Sequence, residues 1–190
     1  DVPGALWTRA QLDAMRVRDL PPMRRVVVAV DPSGTSGGNG DDIGIVIAGL
    51  GIDGQCYVIA DWSCNMSPDG WARRVGEAYV TFEADRIVAE RNFGGAMVEA
   101  VIRTVDKQLP VKMVTASRGK IARAEPAAAL YEQGRVKHVG ALPQLEDQMV
   151  AMTPDGYVGE GSPDRADALV WAITELMLGK GTTYNINALG

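Results

Sequence analysis

The run Arg24-Arg-Val-Val-Val-Ala-Val-Asp-Pro32 constrains this chain more than any other stretch. Val26, Val28 and Val30 fall on one face and Val27 and Ala29 on the other, which predicts a strand covered on both sides at the centre of a sheet. Asp31 breaks the apolar pattern on the Val27/Ala29 face, and Pro32, lacking an amide proton, ends the strand. A carboxylate at the end of a buried strand requires a cation, a metal or a cage of hydrogen-bond donors. Taken alone, Asp31 reads equally well as the cap of the following turn. Its meaning depends on whether other carboxylates converge on it.

The remaining periodicities describe an α/β chain. Residues 1–23 read as a lead-in, with Thr8 capping a helix to about Arg18 before Leu20-Pro21-Pro22 stops it. After the central strand comes the glycine-rich loop Ser33 to Asp42, which lacks the Gly-Lys-Ser/Thr of a phosphate loop. Ile43 to Leu50 and Gln55 to Asp61 read as two strands joined at Asp53-Gly54 by a two-residue hairpin. Three strands in succession exclude a Rossmann-type opening, where a helix follows the first strand. A helix starts at Ser67-Pro68 and runs to about Glu83, and Arg86 to Glu90 is an apolar strand that again ends in a carboxylate. Asn92 to Gly95 turns into a helix over Ala96 to Val105, followed by a strand over Val111 to Thr115. A helix to Gln133, a short edge strand over Val136 to Val139 and a helix over Pro143 to Met152 come next. The alternation implies parallel pairing with right-handed crossovers. Thr153 to Gly161 reads as a loop. The last helix is expected to be capped by Ser162, with Pro163 in its first turn, and to run to about Leu178. Residues 180–190 read as a tail, which leaves 24–179 as one domain.

Composition narrows the function classes. A chain of 190 residues, 46% hydrophobic and 23% charged, suits one globular domain. It has no 18-residue apolar run and no signal-peptide pattern, so no membrane partner is expected. Cys56 and Cys64 are too few for a disulfide framework or a zinc site and read as small buried residues. The net charge of −5 argues against nucleic acid, but its distribution argues for it. Residues 103–137 carry eight basic and three acidic side chains, against nine and fourteen before them and two and seven after. A basic segment beside acidic flanks suits a metal-dependent enzyme acting on a polyanion.

Three acids stand at element ends: Asp31, Glu90 and Asp167 in the first turns of the last helix. If the strands ending in Asp31 and Glu90 are adjacent and parallel, their carboxyl ends lie side by side, and a helix packed on the sheet can deliver the third acid. Such hard oxygen ligands suit Mg²⁺ or Mn²⁺. Two ions of this kind can activate a water and stabilise the leaving oxygen of a phosphodiester. Arg118, Lys120 and Arg123, in the basic segment after a parallel strand, read as phosphate contacts. His138 reads as a surface or edge-strand residue, and Trp62, Trp71 and Trp171 as core.

The order of elements and acids resembles the ribonuclease H-like nuclease superfamily, and within it the C-terminal nuclease domain of the large terminase subunits of tailed bacteriophages. The resemblance rests on Val28-Ala-Val-Asp-Pro-Ser33 with Gly44-Ile-Val-Ile47, Val88-Ala-Glu-Arg-Asn-Phe-Gly-Gly95, Ala116-Ser-Arg-Gly-Lys120 with Arg123-Ala-Glu-Pro126, and Ser162-Pro-Asp-Arg-Ala-Asp-Ala-Leu-Val-Trp-Ala172. It implies a mixed central sheet, a three-strand antiparallel opening followed by parallel strands, flanked by helices. It also implies two Mg²⁺ or Mn²⁺ ions on Asp31, Glu90 and Asp167 and cleavage of double-stranded DNA. A further acid is common in the first hairpin of the family; here Asp41 and Asp42 both qualify, and Asp164 is either an outer ligand or only a favourable charge at the helix N-terminus.

By the same resemblance, residues 1–23 would leave an absent ATPase domain of the same protein, in keeping with a chain that begins at Asp1 rather than Met. Portal and small terminase subunit would be partners in the packaging motor, and the cytoplasm of an infected bacterial host the setting. The alternatives are a Holliday-junction resolvase or RNA-strand nuclease on the same fold, a non-catalytic DNA or portal docking module, and half of a sugar- or acetate-kinase-like ATPase.

Overall fold

The computed structural model describes residues 1–32, 42–91 and 95–179. The glycine-rich loop with Asp41, the turn at 92–94 and the tail 180–190 lie outside the described residues. A short helix α1 (Arg9–Ala14) and a two-residue strand β1 (Arg16–Val17) precede β2 (Met23–Asp31), β3 (Gly44–Gly51) and β4 (Cys56–Asp61). Then follow α2 (Pro68–Thr81), β5 (Arg86–Glu90), α3 (Gly95–Val105), β6 (Val111–Val114), α4 (Lys120–Glu132), β7 (Val136–Val139) and α5 (Pro143–Met149). A small hairpin of β8 (Met152–Thr153) and β9 (Gly156–Tyr157) leads into α6 (Asp164–Ile173), which continues as a π-helical turn over Thr174–Leu178. Among the described residues no helix is long and apolar enough to cross a membrane.

Among the described residues seven strands form one sheet in the order β1-β7-β4-β3-β2-β5-β6. β2, β3 and β4 pair antiparallel, while β2 with β5, β5 with β6 and β4 with β7 pair parallel, as the mixed-sheet expectation requires. The alternation in β2 sorts its residues as the sequence implies. Val26, Val28 and Val30 enter a core with Trp71 and Val75 of α2 and Val98 and Ile102 of α3. Val27 and Ala29 enter the opposite core with Leu169, Val170 and Ile173 of α6, Tyr131 of α4 and Leu145 of α5. Asp31, two residues beyond Ala29, therefore belongs to the face that α6 covers. The β2–β5 register ends at Val30 opposite Ala89, and the next step on the two strands is Asp31 and Glu90.

Several expectations are corrected. The β3–β4 loop has three residues rather than two: Gly51 N–H donates to Gln55 O, and Gly54 supplies the left-handed position at φ 81°. α1 stops at Ala14 rather than about Arg18, because Arg16 and Val17 leave the helix to pair with His138 and Val139. That pairing makes β7 an internal strand and not the edge. His138 is accordingly fully buried rather than a surface residue. α5 ends at Met149, because Met152 and Thr153 pair with Tyr157 and Gly156. Pro163, not Ser162, holds the cap position of α6 and offers no side-chain acceptor.

Residues 1–23 pack onto the domain. Trp7 and Leu12 are buried in the α6-side core, and Leu6 N–H donates to Met152 O at 2.8 Å. Burial of two such side chains contributes about 2 kcal/mol each. Trp71 and Trp171 are core residues as expected, and Trp62 is half-buried edge-on to Phe82. Cys56 is buried and Cys64 half-buried, both as free thiols; burial pushes the Cys56 thiol up to about 12, far from a reactive thiolate.

Candidate metal centre

Asp31, at the end of β2, meets Asp164 and Asp167 from the first turn of α6, and one carboxylate oxygen from each lies within 4.8 Å of the others. All three are 1–3% exposed. Asp164 and Asp167 are three residues apart and so share one helical face, turned toward the sheet. Their carboxylates also benefit from the positive end of the helix.

The N-terminus of α6 is pressed hard against the sheet, and three devices hold it there. Gly44 on β3 leaves no room for a side chain: a Cβ would run into the Asp164 carbonyl oxygen. Gln148 of α5 supplies the cap that Pro163 cannot, its Oε1 accepting from the N–H groups of Arg165 at 2.9 Å and Ala166 at 3.1 Å. Arg165 donates through Nη1 to Asp61 Oδ2 and through Nη2 to Asp42 Oδ2, both at 2.8 Å. The far end of the helix is tied down by Glu175, which ion-pairs with Arg25 of β2, Arg86 of β5 and Lys112 of β6. Ser162 Oγ donates to Asp164 Oδ1 at 2.8 Å and aligns that carboxylate.

Of the acids singled out in the sequence, Asp31 and Asp167 come together. Glu90 is half-buried and does not join them within 4.8 Å; its Oε2 accepts a 3.3 Å hydrogen bond from Trp171 Nε1. Asp164 is the acid that sequence reasoning left undecided, and the structure brings it into the cluster. The helical spacing of Asp164 and Asp167 was the signal available. Asp42 is engaged by Arg165, whereas Asp41 lies outside the described residues.

The three basic residues have separate placements. Lys120, the first residue of α4, puts Nζ 2.7 Å from Asp167 Oδ2. Burial opposes its charge, but Asp167, then Asp31 and Asp164, outweigh burial and hold the ammonium above its usual range. Arg123 lies 4.8 Å over the Trp171 ring and donates to Arg118 O at 2.6 Å. Arg118 is exposed at the mouth of a cleft of about 770 Å³ that Lys112, Ser117, Arg123 and Trp171 also line.

Three carboxylates and one ammonium among the described residues leave the cluster with a net formal charge of −2. Carboxylate oxygens at this density suit a hard divalent cation such as Mg²⁺ or Mn²⁺, which would balance that charge. No thiol or imidazole joins the group, so nothing in the donor set favours a softer metal.

Residues 28–176 match the family described as Terminase RNaseH-like domain. No curated protein sequence matches the chain. Among solved structures, the fold resembles the large terminase nuclease of thermophilic phage G20c with bound magnesium, at TM-score 0.66 and 14% identity over 93% of this chain and 100% of that one. It also resembles the HK97 bacteriophage large terminase, at TM-score 0.66 and 14% identity over 90% of this chain and 43% of that one. A third similar structure is the manganese-soaked, inhibitor-bound human cytomegalovirus terminase nuclease domain, at TM-score 0.66 and 16% identity over 88% of this chain and 93% of that one. The chain thus has the length of the isolated nuclease domains and spans under half of the HK97 protein.

Proposed function

This chain belongs to the terminase RNaseH-like domain family, and from that premise we propose that it is the metal-dependent endonuclease domain of a phage DNA-packaging terminase, hydrolysing double-stranded DNA with two divalent ions. The observation that carries the reading is the group of three buried carboxylates, Asp31, Asp164 and Asp167, gathered where β2 ends against α6. Buried acids crowded without a ligand repel one another. Asp31, Glu90 and Asp167 would hold the ions, with Asp164 assisting beside Asp167. Bound Mg²⁺ or Mn²⁺ would supply an activated water and offset charge on the leaving oxygen.

The chain's own residues do the positioning. The Trp171 indole N–H orients the Glu90 carboxylate toward the α6 side of the sheet. Gln148 and Arg165 fix the helix that carries two of the acids. Arg118 and Lys120 would contact the DNA phosphates, while Arg123, stacked on Trp171, supports the Arg118 loop and the wall of the cleft. With a net charge of −5, the isolated domain would hold DNA weakly. The proposal extends to an ATPase domain in the same full-length protein, to portal and small-subunit partners, and to action in the cytoplasm of an infected bacterium. The extent of the HK97 large terminase beyond the match supports the first of these.

The test is cleavage of supercoiled plasmid with Mn²⁺, Mg²⁺ or EDTA, beside an Asp167→Asn variant. Metal-dependent nicking and linearisation, reduced at least about 100-fold in the variant, is the expected result. A folded chain that binds Mn²⁺ yet leaves plasmid, junction and hybrid substrates intact would instead indicate a DNA or portal docking module.

A further inference from the structure

Two cations that bear on the first turn of α6 are held in opposite ways. Arg165 is 9% exposed at its side chain and forked between Asp61 and Asp42, so it is fixed in place. Lys120 reaches Asp167 from the start of α4, after Gly119, with 46% of its side chain exposed. Its ion pair with Asp167 lies at the end of a four-carbon stem, and nearly half of the side chain is open to solvent. An ammonium so held can leave by rotating about its own side-chain bonds, without moving α4.

Its position also matters. Lys120 Nζ lies 2.7 Å from Asp167 Oδ2, within the group of acids that would hold a divalent ion. A cation bound to that oxygen and the ammonium would repel each other, so each weakens the other's hold. We propose that Lys120 is a tethered counter-ion that keeps the acid cluster assembled before metal binds and must leave Asp167 for a divalent ion to enter. Metal loading and release of Lys120 toward the DNA backbone are then one coupled event. The lysine sets a threshold metal concentration below which the domain stays inactive. The inference rests on the metal-site reading above and assigns that site a built-in competitor.

The experiment is a Mn²⁺ titration of the 190-residue chain, following the free-ion signal by electron paramagnetic resonance, with thermal melting in EDTA and in Mn²⁺ alongside. Lys120→Met should tighten Mn²⁺ binding about tenfold, within the usual range of coupling between two sites. It should also lower the melting temperature in EDTA and enlarge the stabilisation by Mn²⁺. Lys120→Arg, whose planar fork grips a carboxylate with two hydrogen bonds, should weaken Mn²⁺ binding. Arg118→Ala, an exposed cation two residues before Lys120 and outside α4, should leave it unchanged. Wild-type binding that Asp167→Asn abolishes but Lys120→Met leaves unaltered or weakens would overturn the counter-ion role while preserving the metal site. Absence of binding in both wild type and Lys120→Met would overturn both.

Discussion

Two buried polar groups on the same face of the sheet, one around Glu146 and one around Asp167, are built in opposite ways. Around Glu146 every partner is fixed. Arg16 forks onto both carboxylate oxygens at 2.8 and 2.9 Å, Leu142 N–H donates at 3.2 Å, and His138 Nδ1 lies at 2.9 Å. The His138 Nε2 in turn meets the Tyr131 hydroxyl at 2.6 Å. Around Asp167 three carboxylates crowd together, and the ammonium that offsets them sits on a flexible stem. A buried charge satisfied by rigid donors holds a structure together, here tying β1, β7 and α5. Buried like charges converging on one point are held there by the fold against their own repulsion, which is the arrangement a cation-binding site requires.

The sharpest way to break this comparison is Glu146→Ala, which strands Arg16 and His138. It should lower unfolding free energy by about 4 kcal/mol in urea denaturation while leaving Mn²⁺ affinity of the remaining folded protein unchanged. A parallel loss of Mn²⁺ binding would show that the clusters are not independent. Asp167→Asn should do the reverse. It removes one of three repelling charges, so in EDTA the variant should melt at or above the wild-type temperature although Mn²⁺ binding is lost.

Gly44→Ala joins the two effects. The added methyl collides with the Asp164 carbonyl, so stability should fall by about 2 kcal/mol and Mn²⁺ affinity should fall with it, because the displaced element carries two of the acids. Gln148→Ala removes the borrowed cap of α6 and should lower stability by about 1 kcal/mol in the same denaturation. A further effect is on pH dependence. Despite burial, which raises it, hydrogen bonds from His138 and Arg16 hold the Glu146 carboxyl down at about 2, below its ordinary 4.5. Its stabilisation is therefore present above about pH 4.5 and lost as pH falls toward 2. The difference in melting temperature between wild type and Glu146→Gln should narrow across that window. A gap that stayed constant down to pH 2 would contradict the assignment.

How much of this was legible depended on whether the signal was local. The alternating valines of β2 predicted two buried faces, and the apolar run with its carboxylate at Arg86 to Glu90 matches β5 to the residue. Position along the pleat placed Asp31 on the correct face. The sequence could not rank Asp164, because a charge that merely complements the helix dipole and one that faces a neighbouring carboxylate occupy the same helical position. Lys120 read as a phosphate contact because its composition and position suited one. Its proximity to Asp167 is created by the packing of α4 beside α6. His138 was misplaced because a two-residue strand, β1, has no periodicity by which to announce that it covers β7.

The longer strands and helices, their order, the sidedness of the sheet and the acids at element ends are local properties, readable from backbone periodicity and the special dihedrals of proline and glycine. Only the packing settles which acids meet, which cation answers them and that His138 is buried. Those are distances between residues far apart in the chain, set by how α6 docks over β2 and β3. That docking depends on the bare backbone at Gly44 and on the Gln148 side chain, and neither residue shows in its own neighbourhood what it is there to receive.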